Sequence, residues 1–302
     1  MTRNENFKPD YTRIGVDLGG SKIELLAIDP AGRALLRQRV PTPQGDYGAT
    51  VEAVRDLVFD CEKNLGTKSR VGIGIPGALS VATGLVKNAN STCLIGHPLK
   101  QDLEKSLNRE IRIANDANCF ALSEAVDGAG QGAEVVFGVI LGTGVGAGIV
   151  VRGEVLTGPN AIAGEWGHNP LPLPRKEDLP LPDCYCGRKG CIEAYLSGPG
   201  LTRDHLAETG VRLSPEEIFS SENKTKEKYE ERLARSLASV INVLDPDVIV
   251  LGGGISNIRR LYANVPELWQ PYVFSDHVAT RLVQNVHGDS SGVRGAAWLW
   301  DR

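Results

Sequence analysis

Three thiols crowd into eight residues at Cys184-Tyr185-Cys186-Gly187-Arg188-Lys189-Gly190-Cys191, which holds half of the chain's six cysteines. A tetrahedral metal takes four ligands, so this C-x-C-x4-C stretch is one ligand short of a closed site. The spacing is not that of the common zinc ribbons. On pattern alone a metal and a disulfide with one thiol left over both stay open.

A second chemical pattern is a carboxylate beside glycines. Asp17 ends the apolar run from Arg13 and is followed by Leu18-Gly19-Gly20-Ser21-Lys22. Backbone amides at a glycine turn can converge on a phosphate because no Cβ blocks the approach. A carboxylate placed there can hold a hydrated Mg²⁺ while the amides and the Ser21 hydroxyl meet phosphate oxygens. The plainer reading, a hairpin turn and nothing more, stands beside it. Gly142-Thr143-Gly144 makes a second such turn with a hydroxyl between its glycines. Gly252-Gly253-Gly254 makes a third, where a flat base and ribose can lie against a helix start. Each turn is ambiguous singly, and together they favour a nucleotide. The phosphate-binding P-loop is excluded because Ser21 precedes Lys22, and the dinucleotide fingerprint because a strand follows Gly144 where that motif demands a helix.

Asn115-Asp116 falls where a strand gives way to a helix. Asp116 is either an N-cap or the base that takes a hydroxyl proton in phosphoryl transfer. Asn88 and Asn90 add amides of the kind that fix sugar hydroxyls.

Rigid elements must stand behind these residues. Apolar periodicity predicts strands at 13–17 and 22–28 joined as a hairpin, a helix over 48–65 and a strand at 71–75. A helix over 102–107, a strand at 111–114 and a helix over 117–125 come next. Strands at 135–141 and 147–151 repeat the opening hairpin, and a helix over 229–244, a strand at 247–251 and a last helix over 291–300 complete the chain. Strands alternating with helices make an α/β fold, and the repeated hairpin marks two related units. The expected organisation is a leader at 1–12, a small domain at 13–117 completed by the C-terminal helix at 291–302, and a large domain at 118–290. The large domain contains a Pro-rich irregular loop, with the metal-binding part at 164–193, of the length that is functional or metal-tied.

The 302 residues are 41% hydrophobic with a net charge of -4 and no long basic run, so nucleic acid is not an expected partner. The N-terminal residues are polar, and no run approaches the ~18 apolar residues of a membrane span, which predicts a cytoplasmic protein. Cys61, Cys93 and Cys119 stand alone and read as small buried hydrophobes.

Taken in order, Asp17-Leu18-Gly19-Gly20-Ser21-Lys22, Asn115-Asp116-Ala117-Asn118, Leu141-Gly142-Thr143-Gly144, Gly164-Glu165-Trp166-Gly167-His168 and the cysteine cluster resemble the ROK family of bacterial sugar kinases. The likeness covers nearly everything after the leader. Lys87-Asn88-Ala89-Asn90-Ser91-Thr92, the stretch from Glu165 to Pro172 and the ending His287 to Trp298 look most like the fructokinase or mannokinase branch, with N-acetylglucosamine kinases as near neighbours. The resemblance implies a two-lobed actin/hexokinase-type (ribonuclease H-like) fold with ATP, Mg²⁺ and sugar in the interdomain cleft. It implies Asp116 as catalytic base, with Asn90, Asn115, Glu165, His168 and Glu193 lining the sugar pocket. Asp17, Gly19, Gly20, Ser21, Lys22, Gly142, Thr143 and Gly144 would meet Mg²⁺ and ATP phosphates, and Gly253 and Gly254 the adenosine. One departure is Ser21, where many relatives carry Thr, and the hydroxyl survives. The expected reaction is ATP-dependent phosphorylation of the 6-hydroxyl of fructose by a homodimer, with an N-acetylglucosamine or glucose kinase as the alternative. A sugar-sensing regulator of the same family is the reading from another class, disfavoured because only about twelve polar residues precede the first strand, too few for a DNA-binding helix-turn-helix.

The missing fourth ligand of the cysteine cluster is then His168, giving a Cys184, Cys186, Cys191 and His168 zinc site that the family likeness supports. Fully occupied by protein, such a metal is structural, and its task is to pin Glu165 and Glu193.

Overall fold

The chain leaves its first residues as β1 (Arg13–Leu18), buried along its length except for a half-buried Asp17. It turns at Gly19–Ser21 into β2 (Lys22–Ile28), and β3 (Ala34–Pro41) joins the outer edge of β2 with one solvated face. Helix α1 (Tyr47–Leu65) starts where the Asp46 carboxylate accepts from the Ala49 amide at 2.9 Å and stops at Gly66 in the left-handed conformation. It returns the chain so that β4 (Arg70–Ile75) pairs parallel to β1. A small hairpin of β5 (Ala78–Leu79) and β6 (Val86–Lys87) and helix α2 (Leu99–Leu107) lead to β7 (Ile111–Asn115), parallel to β4, and directly into α3 (Asp116–Asp127).

The plan then repeats. β8 (Val135–Leu141), β9 (Val145–Val151) and β10 (Glu154–Val155) form an antiparallel meander. After the irregular stretch come α4 (Ile192–Leu196), α5 (Gly198–Thr209), α6 (Pro215–Ser220) and α7 (Lys224–Leu244). β11 (Val248–Gly252) pairs parallel to β8, and β12 (Arg281–Gln284) to β11, with α8 (Arg260–Leu268) between them. The last helix is α9 (Ser291–Ala297). The two sheets have strand orders β3-β2-β1-β4-β7 and β10-β9-β8-β11-β12, so each antiparallel meander is continued by two parallel strands. This is the repeat that the paired hairpins predicted.

This computed structural model describes residues 11–89 and 91–300, the side chain of Asp289 excepted. The sugar-pocket candidate Asn90 lies outside the described residues. Contacts divide the chain into two compact units. The first comprises the described residues up to Asp127, Thr157–Ala163 and those from Asp289 onward; the second comprises Gly128–Leu156 and Gly164–Gly288. The break therefore follows Asp127 rather than residue 117. Helix α3 stays with the first unit because eight of its twelve residues are buried and it crosses α9 at backbone contact. A Cβ on Gly295 would overlap the Cys119 carbonyl oxygen. Ser291 Oγ donates to Glu124 at 2.8 Å, and Arg294 pairs with Asp127. α9 ends at Ala297, short of the expected 300, and the Trp300 indole donates to the Val71 carbonyl at 2.6 Å. Among the described residues no helix is long and apolar enough to cross a membrane.

Candidate active site

In the first unit Asp17 sits at the end of β1, opposite Glu24 of β2 and level with Gly74 of β4. Burial pushes its carboxyl up from 3.8 to about 6, and the neighbouring Asp116 and Glu24 charges push the same way while Lys22 opposes them. Lys22 itself is drawn toward Glu24 at 3.9 Å, which Arg37 and Arg39 also hold at 2.5 and 2.8 Å. The turn is closed by the Gly19 amide donating to the Lys22 carbonyl at 3.0 Å, which leaves the amides of Gly20 and Ser21 at its tip. A strap after β3 fastens its carbonyls. Thr42 Oγ1 donates to Gly19 O and Gln44 Nε2 to Gly20 O, each at 2.7 Å, while the Thr42 amide donates to Ser21 O at 3.1 Å.

At the β7–α3 junction both Asn115 and Asp116 reach the first amides of the helix. Asn115 Oδ1 accepts from the amides of Ala117 at 2.9 Å and Asn118 at 3.4 Å, while its Nδ2 donates to the Gly77 carbonyl at 3.0 Å. Asn115 is thus the cap, and it also ties down the Pro76-Gly77 turn. Asp116 is the first helical residue, and its Oδ1 accepts from the adjacent Ala117 amide at 2.8 Å. One turn on, burial and then the Asp17 and Asp116 charges push the Cys119 thiol well above its ordinary value. Two carboxylates therefore converge beside one buried thiol, which stays a neutral, inert packing group.

In the second unit the turn between β8 and β9 is held at both ends. Gly142 N donates to Gly144 O at 3.0 Å, and Gly142 O accepts from the Gly198 amide at 2.8 Å. The Val145 amide donates to Glu193 Oε2 at 2.8 Å. Gly253, at a φ of 80°, lets the third glycine turn lie against the end of β8, where a Cβ would overlap Leu141 O. The second and third turns are therefore neighbours. Glu165 is exposed, and the following Trp166 is buried edge-on to Phe137 with ring centroids 5.8 Å apart.

The cysteine loop brings its predicted ligands together. The donor atoms of His168, Cys184, Cys186 and Cys191 all lie within 4.8 Å of one another. Cys186 Sγ and Cys191 Sγ are 3.7 Å apart, and Cys184 Sγ is 3.6 Å from His168 Nδ1. Bonds of about 2.3 Å to sulfur in a tetrahedron require edges of about 3.8 Å, so the spacing fits zinc. The other ring nitrogen of His168 bonds the Tyr185 hydroxyl at 2.9 Å, the outer-shell contact that fixes a ligand's orientation. The loop is anchored by Asp178, buried between Arg232 at 2.7 Å and Arg235 at 2.9 Å. Burial pushes that carboxyl up, but the Arg175 amide and the two guanidiniums outweigh it and hold it below the ordinary range.

Residues 13–302 match the sequence profile of the ROK family. The chain belongs to the ROK family. It is 40% identical over 297 residues to the N-acetyl-D-glucosamine kinase of Salmonella paratyphi A, across 94% of this chain and 98% of that one. A ROK hexokinase from Thermus thermophilus superposes with a TM-score of 0.83 at 31% identity, covering 95% of this chain and 96% of its own. A ROK glucokinase from Streptomyces griseus, solved with glucose and AMPPNP, gives a TM-score of 0.75 at 26% identity, with coverages of 95% and 98%. The fold is the actin/hexokinase type that the motifs implied. The names of these ROK relatives refer to N-acetylglucosamine, hexose and glucose, and give the fructose expectation no support.

Sequence reasoning missed several supporting residues of this ROK chain. Thr42 and Gln44 signal themselves only as a Thr-Pro-Gln run after a strand, and Asp178, Arg232 and Arg235 only as charges on faces that prove to be buried. A cavity of about 480 Å³ in the second unit contains none of the predicted site residues. Its lining carries ion pairs such as Arg260–Glu230 at 2.5 Å and Arg175–Glu231 at 2.8 Å.

Proposed function

We propose that this protein is an ATP-dependent ROK sugar kinase that phosphorylates a glucose-type hexose, N-acetylglucosamine ahead of glucose, with fructose ranked behind both. The observation that carries the kinase reading is the pairing of carboxylates where β1 and β7 end. Asn115 caps α3, and Asp116, at the first helical position, stands close enough to Asp17 for its charge to raise the Asp17 carboxyl. The preference for N-acetylglucosamine is supported by 40% identity with kinases of that sugar across nearly the whole chain.

Asp116 accepts the proton of the attacking hydroxyl as its oxygen bonds to the γ-phosphorus and the bond from that phosphorus to the β,γ-bridging oxygen breaks, leaving ADP. Asp17 would hold a hydrated Mg²⁺, which would supply positive charge to the nucleotide phosphates. The tip amides of the first turn, with Thr143 and Gly144 of the second, donate to phosphate oxygens, and Gly253 and Gly254 leave room for the adenosine. Asn90, Glu165, His168 and Glu193 are the remaining sugar-side candidates.

The test is a substrate panel with Mg-ATP over N-acetylglucosamine, glucose, mannose and fructose. The highest kcat/KM is expected for N-acetylglucosamine or glucose. ATP turnover that is absent or independent of every sugar would count against kinase activity, and a preference for fructose would overturn the substrate ranking alone. Pocket fit separates near-identical sugars only modestly, so a ratio of about 10 to 200 between neighbours is the expected scale.

His168, Cys184, Cys186 and Cys191 would hold a structural zinc, which supplies a rigid crosslink and no reacting water. Cys186→Ser removes one thiolate from that set. Zinc content by mass spectrometry is expected to fall well below the about one ion per chain of the parent, with activity falling alongside it. A full complement of zinc in the variant would remove Cys186 from the ligand set.

A further inference from the structure

Glu193 is buried on α4. Oε2 accepts the Val145 amide at 2.8 Å, and a Cβ added to Gly144 would come within 2.8 Å of the same oxygen. Val145 is the first residue after the second glycine turn, and Gly144 is the last residue within it. At the other end, Gly142 O accepts from Gly198, the first residue of α5, at 2.8 Å. The turn is thus gripped at both ends by one short segment, running from α4 through Ser197 to Gly198 at the start of α5. That segment is a firm support. Ile192, Tyr195 and Leu196 are buried in the core of the second unit, and the Tyr195 hydroxyl donates to the Asp178 carbonyl at 2.8 Å.

We propose that Glu193 is a positioning residue for the nucleotide, fixing the Gly142–Gly144 turn through its bond to the Val145 amide independently of any contact with sugar. The proposal rests on the reading of that turn as a phosphate-binding element. An amide bonded to a carboxylate makes a stronger hydrogen bond than one bonded to a neutral group, and here it stands at the point where the turn re-enters the sheet. With the bond in place, the Thr143 and Gly144 amides are held in one arrangement before nucleotide arrives, so binding orders fewer backbone torsions. A side chain at Gly144 would have to displace the carboxylate from this position.

The test is titration calorimetry with Mg-AMPPNP in the absence of any sugar. Glu193→Ala is expected to raise the nucleotide Kd by about tenfold, the scale of losing one charge-assisted hydrogen bond from the site. Glu193→Gln keeps an acceptor oxygen for Val145 and is expected to recover most of that affinity. Gly144→Ala should weaken nucleotide binding in the parent and weaken it much less in the Glu193→Ala background, because the methyl group then meets no carboxylate. Equal Kd values for parent and Glu193→Ala would overturn the proposal and leave Glu193 as a sugar ligand alone. A weakened Glu193→Gln matching Glu193→Ala would overturn it as well. A parent protein that binds no Mg-AMPPNP, with or without sugar, would instead overturn the nucleotide-site reading on which the proposal stands.

Discussion

Asp116→Asn is expected to lower kcat by about 10²- to 10⁴-fold, the range that a general base contributes. Asparagine keeps the size and one acceptor oxygen of the side chain but cannot take the hydroxyl proton. The loss should be chemical rather than structural, because asparagine keeps an acceptor oxygen for the Ala117 amide and the Asn115 bonds are untouched. Asn115 supplies the cap to Ala117 and Asn118 and the tie to Gly77, and both remain in the variant. The variant should therefore melt close to the parent and bind Mg-AMPPNP with parental or better affinity, since it removes one of two neighbouring negative charges. Steady-state kinetics with saturating sugar and Mg-ATP, paired with calorimetry, checks both halves. A kcat within a few fold of the parent would reduce Asp116 to a polar residue at a helix start.

Short-range signals carried the readable part of the fold. The runs around Asp17, Gly142 and Gly252 combine an apolar strand with a glycine turn, and each proves to be the end of a strand in one of two sheets of the same order. What the sequence hides is partner choice. Asn115 and Asp116 look equivalent at a strand–helix junction, and only the hydrogen bonds show that Asn115 reaches the amides of both Ala117 and Asn118. Helix α3 groups with the first unit through its packing on α9, more than 160 residues later in the chain, a link that local periodicity does not carry. β3 escaped notice since its alternation of half-buried and exposed residues includes two arginines that serve Glu24 across the hairpin. The strap residues Thr42 and Gln44 act through the carbonyls of a turn twenty-three and twenty-four residues away, a link no local pattern encodes. The cysteine cluster is the opposite case. Three of its four ligands lie within eight residues, and even the distant His168 belongs to the same irregular stretch.

Asp17→Asn should separate stability from function in opposite directions. The folded protein holds the Asp17 proton with a pKa of about 6 against an ordinary 3.8, because burial and the nearby Asp116 and Glu24 charges disfavour the carboxylate. Between those two values the folded state binds more protons than the unfolded chain, so stability falls as pH rises through the window from about 4 to about 6. By pH 7 the whole penalty is in place, at most about 3 kcal/mol. Asparagine carries no charge to bury. Ligand-free Asp17→Asn is thus expected to be more stable than the parent at pH 7, by up to that amount, with the advantage shrinking toward zero near pH 4. Activity moves the other way, because only the ionised carboxylate can hold hydrated Mg²⁺, so kcat/KM for Mg-ATP should collapse in the variant and fall in the parent as pH drops below about 6. Urea denaturation at several pH values, alongside the pH profile of kcat/KM, measures both arms. A variant no more stable than the parent at pH 7 would show that the carboxylate meets no such penalty, and that the strain at the end of β1 is not the cost of keeping a metal-binding charge there.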